Sequence, residues 1–497
     1  MKQYDVIIIG SGLGGLECGY ILARKGYSVC VLEQNRQIGG CLQTFRRGDA
    51  VFDTGFHYVG GLDEGQFLHR LFRYFDLLDL PWHRLDERGF AEIIFHGKSY
   101  FLASGHRRFA DTLAESFPHQ RGRLENYAAF LKQVGDNISH SFQPGDKHAF
   151  SAESLFSRSA WLFLQETVSD PLLRQVLSGA SLTMELCPEK LPLYVFAQIN
   201  NSFIQSAWRL RGGGALITER LAEGIRRMGG TVLTDAKVTR LLTKGNAVQA
   251  VAYNRGEQLR SRYVISDAHP AHTLSLLDEQ AAARSAYRNR INHLPNTYGM
   301  FTVHLQLKRN TVPYLNRTVY IYKEEDVWNY YRYRPQAKTT AALLHFQPPP
   351  PGETCAGNMD ILTPVHWEEV VSWCDTTVGH RGEAYNRFKE QKAEECIALA
   401  AEKIPALKQC IEKIYTSTPL TYRDYTGTWN GSAYGIQKDY THAMLTVLPP
   451  QTPVANLFLT GQNLNLHGVL GVSITAFFTC AKITGMENLV KELKVES

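Results

Sequence analysis

The chain opens on an apolar run, Tyr4-Asp5-Val6-Ile7-Ile8-Ile9, without alternation of polar and apolar positions. Such a run suits a strand buried on both faces of a parallel sheet. Residues 13–25 switch to helical spacing, with Leu16, Tyr20 and Ala23 on one face and Gly26 as the stop. Residues 27–32 predict a second buried strand, so the start reads as a βαβ unit. Residues 45–61 predict a hairpin turned at Gly48-Asp49 and then a glycine-flanked loop. Helical spacing follows at 66–79, 109–117 and 123–134, with a hairpin around His96-Gly97 in 91–102. Residues 139–151, with Pro144-Gly145-Asp146, predict a loop. Residues 154–168 predict one helix whose apolar surface exceeds a single stripe. It reads either as a buried helix of a second domain or as a helix that enters a membrane face. A helix over 215–228, a strand over 231–234 and alternating strands at 238–243, 247–254 and 259–266 predict a return to the first domain. Strands are predicted at 296–307, 318–322, 341–346 and 359–364, a long helix at 383–403, and a stiff corner at 348–351. A last strand ends at Gly461 and a helix is predicted from about Gly471.

The first strand runs directly into Gly10-Ser11-Gly12-Leu13-Gly14-Gly15. In a dinucleotide turn the first glycine permits the tight bend and the second lets a pyrophosphate approach the backbone. The last lets the helix lie close to the strand. By that logic Gly10, Gly12 and Gly15 hold these positions, with Leu13 and Gly14 between them. The helix N-terminus then offers unpaired N–H groups to phosphates. Glu33, at the end of the second strand, stands where an acid bonds a ribose hydroxyl, with Gln34 beside it.

Composition narrows the class. At 497 residues the chain exceeds one simple core, and two domains are expected. A hydrophobic fraction of 44% and a mean hydropathy of −0.24 describe a globular protein. A net charge of +5 is too small for a nucleic-acid stripe, so no nucleic acid is expected as a partner. The 9 cysteines are scattered without a C-x-x-C pair, which reads as reduced thiols and no metal site. No apolar stretch reaches the roughly 18 residues of a membrane span. The start has no signal-peptide pattern. A cytoplasmic protein, or one peripheral at the inner face of a membrane, is expected.

Gly39-Gly40 follows Glu33 at short range. The extended pattern resembles the FAD signature of the glutathione-reductase and amine-oxidase type flavoproteins, and so points to FAD. Phe52-Asp53-Thr54-Gly55-Phe56-His57-Tyr58 is similar to the stretch after that signature in phytoene desaturases, carotenoid isomerases and, most closely, all-trans-retinol saturases. The resemblance places this segment near the isoalloxazine ring and makes His57 and Tyr58 candidates for proton movement. It places Val238 against the adenine. Gly427-Thr428-Trp429-Asn430-Gly431-Ser432-Ala433-Tyr434-Gly435 resembles the loop that faces the flavin, with Tyr434 either walling the cavity or donating a proton. Gly461, Gln462, His467, Gly468, Gly471 and Val472 fall in the family's C-terminal flavin segment, where Gln462 replaces the usual aspartate. His269 likewise departs from an acidic residue.

The resemblance covers nearly the whole chain. It implies an α/β fold: a discontinuous Rossmann-like FAD-binding domain from residues 1–61, 205–275 and 444–497. A substrate domain of antiparallel sheet and helices comes from 62–204 and 276–443. It implies an FAD-dependent oxidoreductase acting on CH–CH groups, with a hydrophobic small molecule as substrate and peripheral membrane contact. Saturation of a polyene, retinoid or isoprenoid lipid leads. Desaturation or cis–trans isomerisation of a carotenoid is the alternative, and an amine oxidase comes after them. A non-enzymatic prenyl-lipid binder of the GDP-dissociation-inhibitor type predicts an eroded glycine fingerprint, whereas this one is intact. With one fingerprint, assigned to FAD, NAD(P)H is expected only as a transient electron donor.

Overall fold

The computed structural model describes residues 2–141, 152–278 and 285–495. From residue 142 onward, the loop expected at 139–151 lies outside them.

The first sheet runs in the order Thr231–Leu233, Val29–Leu32, Gln3–Ile9, Glu257–Ser266, Leu457–Leu459, all parallel. The unalternating strand pattern has a direct cause. Val6 and Ile8 face the helices Leu13–Arg24, Ala215–Arg227 and Gly468–Thr484. Ile7 and Ile9 face a second apolar cluster with Leu241, Val251 and Leu274. All four of these strand residues are buried. The register aligns Ile9 with Leu32 and Ser266, Leu32 with Leu233, and Ser266 with Leu459. The carboxyl ends of the strands therefore meet along one edge, where ligands of open α/β sheets bind. The strand Glu257–Ser266 serves twice. Its first half pairs antiparallel with Ala247–Tyr253, which pairs with Val238–Lys244.

A second, seven-stranded sheet runs in the order Ile411–Ser417, Gly299–Leu307, Asn358–Val365, Ala341–Phe346, Thr318–Tyr322, Ala91–Phe95, Lys98–Leu102. Only Thr318–Tyr322 and Ala91–Phe95 are parallel neighbours. The hairpin Thr44–Arg47/Ala50–Asp53 lies on this sheet, with Phe45 and Phe52 rings against His304.

Several elements depart from the sequence reading; the helix Leu193–Gln205 and the strand Ile411–Ser417, for example, were not expected. The helix expected over 154–168 is two, Ala152–Phe156 and Ala160–Thr167. Ser159 explains the break: its Oγ accepts from Leu162 N at 3.2 Å, and a serine cap starts a new helix. Leu155, Phe156, Phe163 and Leu164 are buried in the core, while Leu162 is exposed. The helix expected from Gly471 begins a turn earlier, at Gly468. A final helix, Met486–Val495, was not expected; it buries Leu489, Val490 and Leu493. No helix among the described residues is long and apolar enough to cross a membrane.

Candidate active site

One cavity of about 380 Å³ begins at the carboxyl edge of the parallel sheet and ends under the second sheet. Its first part is lined by Gly10, Gly12, Leu13, Gly14, Glu33, Gln34, Gly39, Gly40 and Val238. Gly461, Gln462, Gly468 and Val472 line its middle, and His57, Tyr58, Tyr434 and His467 border the second part. Gly15 and Gly471 are not on the wall. A Cβ at Gly15 would stand 2.3 Å from Gly10 O, so this glycine sets the helix against the strand. A Cβ at Gly471, expected beside the ring, would stand 2.4 Å from Leu466 O; this glycine holds the helix to the preceding loop.

The first part has the chemistry of a dinucleotide groove. Helices Leu13–Arg24 and Gly468–Thr484 start at Gly12 and His467, neither of which supplies a side-chain cap, and at the first end the Asp267 carboxyl meets the N–H groups of Gly12 and Gly15. Such ends favour anions or negative charge. Glu33 accepts from Ser11 N at 3.0 Å, Ser11 Oγ at 2.6 Å and Asn35 N at 2.8 Å, which fixes its carboxylate at the strand end. A Cβ at Gly12 would meet Asp267 Oδ2 at 2.3 Å, so the turn admits no side chain. These residues fit FAD: a glycine turn and helix N-terminus for the pyrophosphate, a fixed acid for the ribose and Val238 on the wall.

Asp267 escaped the sequence reading of the site. It follows the strand Glu257–Ser266 and sits among Gly12, Gly14 and Gly461. Burial pushes its carboxyl up to about 7, against the N–H groups of Gly15 and Gly12. Lys438 was missed as well. Its Nζ donates to Thr446 O at 2.9 Å and Asn463 O at 2.7 Å, and no ion pair holds it among the described residues. Burial lowers its ammonium to about 7. Asp267 stands in Val264-Ile265-Ser266-Asp267-Ala268-His269-Pro270, a stretch that follows the pattern of the resembled family and in which only His269 drew notice; Lys438 lies in no motif.

The four proton candidates differ in what their polar atoms already do. Tyr434 OH donates to Leu182 O, and Tyr58 OH shares a 2.7 Å bond with Tyr320 OH. Burial raises both phenols. His467 Nε2 lies 2.9 Å from Thr183 O; since a carbonyl only accepts, Nε2 carries the hydrogen. The His467 ring lies 4.7 Å from that of Tyr434, and burial lowers its pKa to about 4. His269 is engaged too: Nδ1 accepts from Ala271 N at 3.2 Å, so Nε2 donates to Asn296 Oδ1 at 3.1 Å. His57 alone among the four has a buried nitrogen, Nδ1, with no partner. Burial lowers it to about 4, so it is a neutral imidazole at pH 7.

Beyond these groups the wall is mostly apolar and aromatic, with Leu182, Ile199, Phe203, Met300, Leu343, Leu362, Tyr422 and Leu466, and carries Thr183, Gln198, Ser202 and Ser432 as polar members. Such a lining suits a flat or extended hydrocarbon.

The comparisons agree with this geometry. The chain is 28% identical to human all-trans-retinol 13,14-reductase, over 99% of this chain and 87% of the relative. It is 20% identical to the chloroplastic prolycopene isomerase 1 of an Oncidium hybrid cultivar, over 99% and 86%. Among solved structures, cyclohexylamine oxidase from Brevibacterium oxydans superposes with a TM-score of 0.60 at 18% identity, covering 99% of each chain. The model of the flavin-containing amine oxidoreductases matches residues 13–358. Together with the glycine turn, the fixed acid and the helix ends, that match makes the chain an FAD-dependent oxidoreductase, a member of the flavin-containing amine oxidoreductase family.

Proposed function

We propose that this enzyme saturates a carbon–carbon double bond of a polyene, retinoid or isoprenoid lipid. The carrying observation is the continuity of the cavity: a dinucleotide groove opens directly into an aromatic, apolar chamber. The retinol reductase and prolycopene isomerase relatives, whose names specify polyenes, support the substrate class.

In this reading Gly10, Gly12, Leu13 and Gly14 receive the pyrophosphate, Glu33 and Gln34 the ribose, and Val238 the adenine. Gly39, Gly40, Gly461, Gln462, Gly468 and Val472 border the flavin. Gly15 and Gly471 support them from behind. FAD when bound supplies hydride transfer. The protein's part is to orient the chain of double bonds, exclude water and deliver a proton to the carbon beside the one that takes hydride. Tyr434 and His467 shape the chamber by tying the Gly427–Gly435 loop to Leu182 and the C-terminal segment to Thr183. His57 is left to move the proton. NAD(P)H, or a protein donor, reduces the enzyme transiently. The domain divisions at 61, 204, 275 and 443 belong to the same reading. So does peripheral membrane contact, for which Leu162 and Met444 are exposed apolar residues at 52% and 85%.

The test is anaerobic incubation of the photoreduced holoenzyme with all-trans-retinol and a panel of carotenoids. A mass gain of two hydrogens supports saturation. An unchanged mass with altered double-bond geometry supports the isomerase reading instead.

A further inference from the structure

Residues 425–432 follow the edge strand Ile411–Ser417 of the second sheet and the helix Pro419–Thr426, yet they return to the dinucleotide end of the cavity. Asn35 Nδ2 donates to Tyr425 O at 3.1 Å, and a Cβ at Gly427 would stand 3.2 Å from Gln34 Nε2. Gln34 and Asn35 directly follow Glu33, the fixed acid. Ala236 N donates to Glu33 O at 2.7 Å, which brings Val238 to the same end. Trp429 completes the surround. Its indole stacks on the His269 imidazole, with ring centres 5.0 Å apart and planes 20° from parallel. His269 lies just past Asp267, which meets the glycine turn. Trp429, His269 and Val238 all line the cavity.

Trp429 is held in place but not buried: it is 40% exposed, whereas His269 behind it is 7% exposed. The backbone after it is fixed. Asn430 and Gly431 have φ of 51° and 64°, no Cβ fits at Gly431 against Pro419, and Ser432 bridges to Gly299 on the second sheet. A left-handed asparagine is uncommon, and its cost is met here by a tightly determined loop. Burial lowers His269 to about 4, so the ring behind the indole is neutral at pH 7. An open indole backed by a second ring offers a π-surface on which a nucleobase stacks. Later in the same loop Tyr434 borders the apolar chamber, so Trp429 serves the other end of the cavity.

We propose that Trp429, backed by His269, is the aromatic wall of the adenine site, and that residues 425–432 clasp the adenosine half of FAD. The inference rests on the reading that places this half at Glu33 and Val238, and it is independent of the substrate. It gives the second sheet's segment a role in cofactor retention: release of FAD requires the clasp to move. A flavin without the adenosine half makes no use of it.

The first test uses the holoenzyme, with released FAD collected by ultrafiltration after dilution. Trp429→Leu should release FAD about tenfold faster or more, the scale of a lost base–aromatic stack, while Trp429→Phe should stay close to wild type. Equal release from wild type and Trp429→Leu would overturn the clasp. The second test titrates the full chain, freed of flavin, with ADP and separately with riboflavin. ADP should quench tryptophan fluorescence in wild type and leave it unquenched in Trp429→Phe. Trp429→Leu should bind ADP about tenfold more weakly or worse and riboflavin as wild type does. Equal losses of ADP and riboflavin affinity would show general damage to the loop and overturn the specific contact. ADP binding that is the same in wild type and Trp429→Leu would overturn the clasp and leave the placement of the adenosine half standing. No ADP binding by wild type would overturn that placement and the clasp with it.

Discussion

Lys438 and His467 show how a single residue's environment sets its behaviour. Lys438 is charged in both states below about pH 7 and loses its proton first in the folded state, where burial lowers its pKa from 10.5 to about 7. The unfolded chain then binds more protons, so this group makes stability rise from pH 7 towards 10.5. Replacing it by methionine should remove about 1.4 kcal/mol per pH unit of that slope. Melting curves of the apoprotein and of Lys438→Met at pH 7, 8 and 9 check this; equal slopes would contradict it. His467→Ala should retain FAD, because the imidazole bonds Thr183 O and not the glycine turn. Loss of that bond, worth about 1 kcal/mol, should raise KM several-fold while the flavin absorbance stays. A variant without flavin would make His467 a cofactor anchor.

Among the elements, the first strand and its turn carry the clearest consequences. Gly12→Val would drive a side chain into Asp267, where a Cβ alone already stands 2.3 Å from Oδ2. That variant should purify without the visible flavin spectrum, and full flavin occupancy would refute the assigned pyrophosphate site. Ile8 is fully buried between strand and helices, so Ile8→Ala should cost about 2–5 kcal/mol, read from denaturant unfolding. These elements were legible in sequence because their signals are local. An unalternating strand, glycines and a helical stripe lie within one stretch. The break at Ser159 was less legible: an apolar run reads as one helix until the cap is weighed against it.

Across the whole molecule the limits of sequence are physical. Asp267 reaches the glycine turn because its strand lies beside the first strand, although the two are far apart along the chain. His304, Asp360 and His345 come from three strands and meet only through sheet register. Nothing local marks them: His345 is the one polar residue of its strand, while His304 and Asp360 share theirs with Thr302, Gln306, Asn358 and Thr363. The resemblance named the candidates His57, Tyr58, Tyr434 and His467. The hydrogen bonds then separated them, as three are engaged and His57 Nδ1 is not. The most direct test of the central claim is high-resolution mass analysis of all-trans-retinol after anaerobic incubation with the reduced enzyme, alongside the flavin spectrum. Saturation predicts a product two hydrogens heavier, formed in step with flavin reoxidation; reoxidation with no heavier product, or an isomer of unchanged mass, would contradict it.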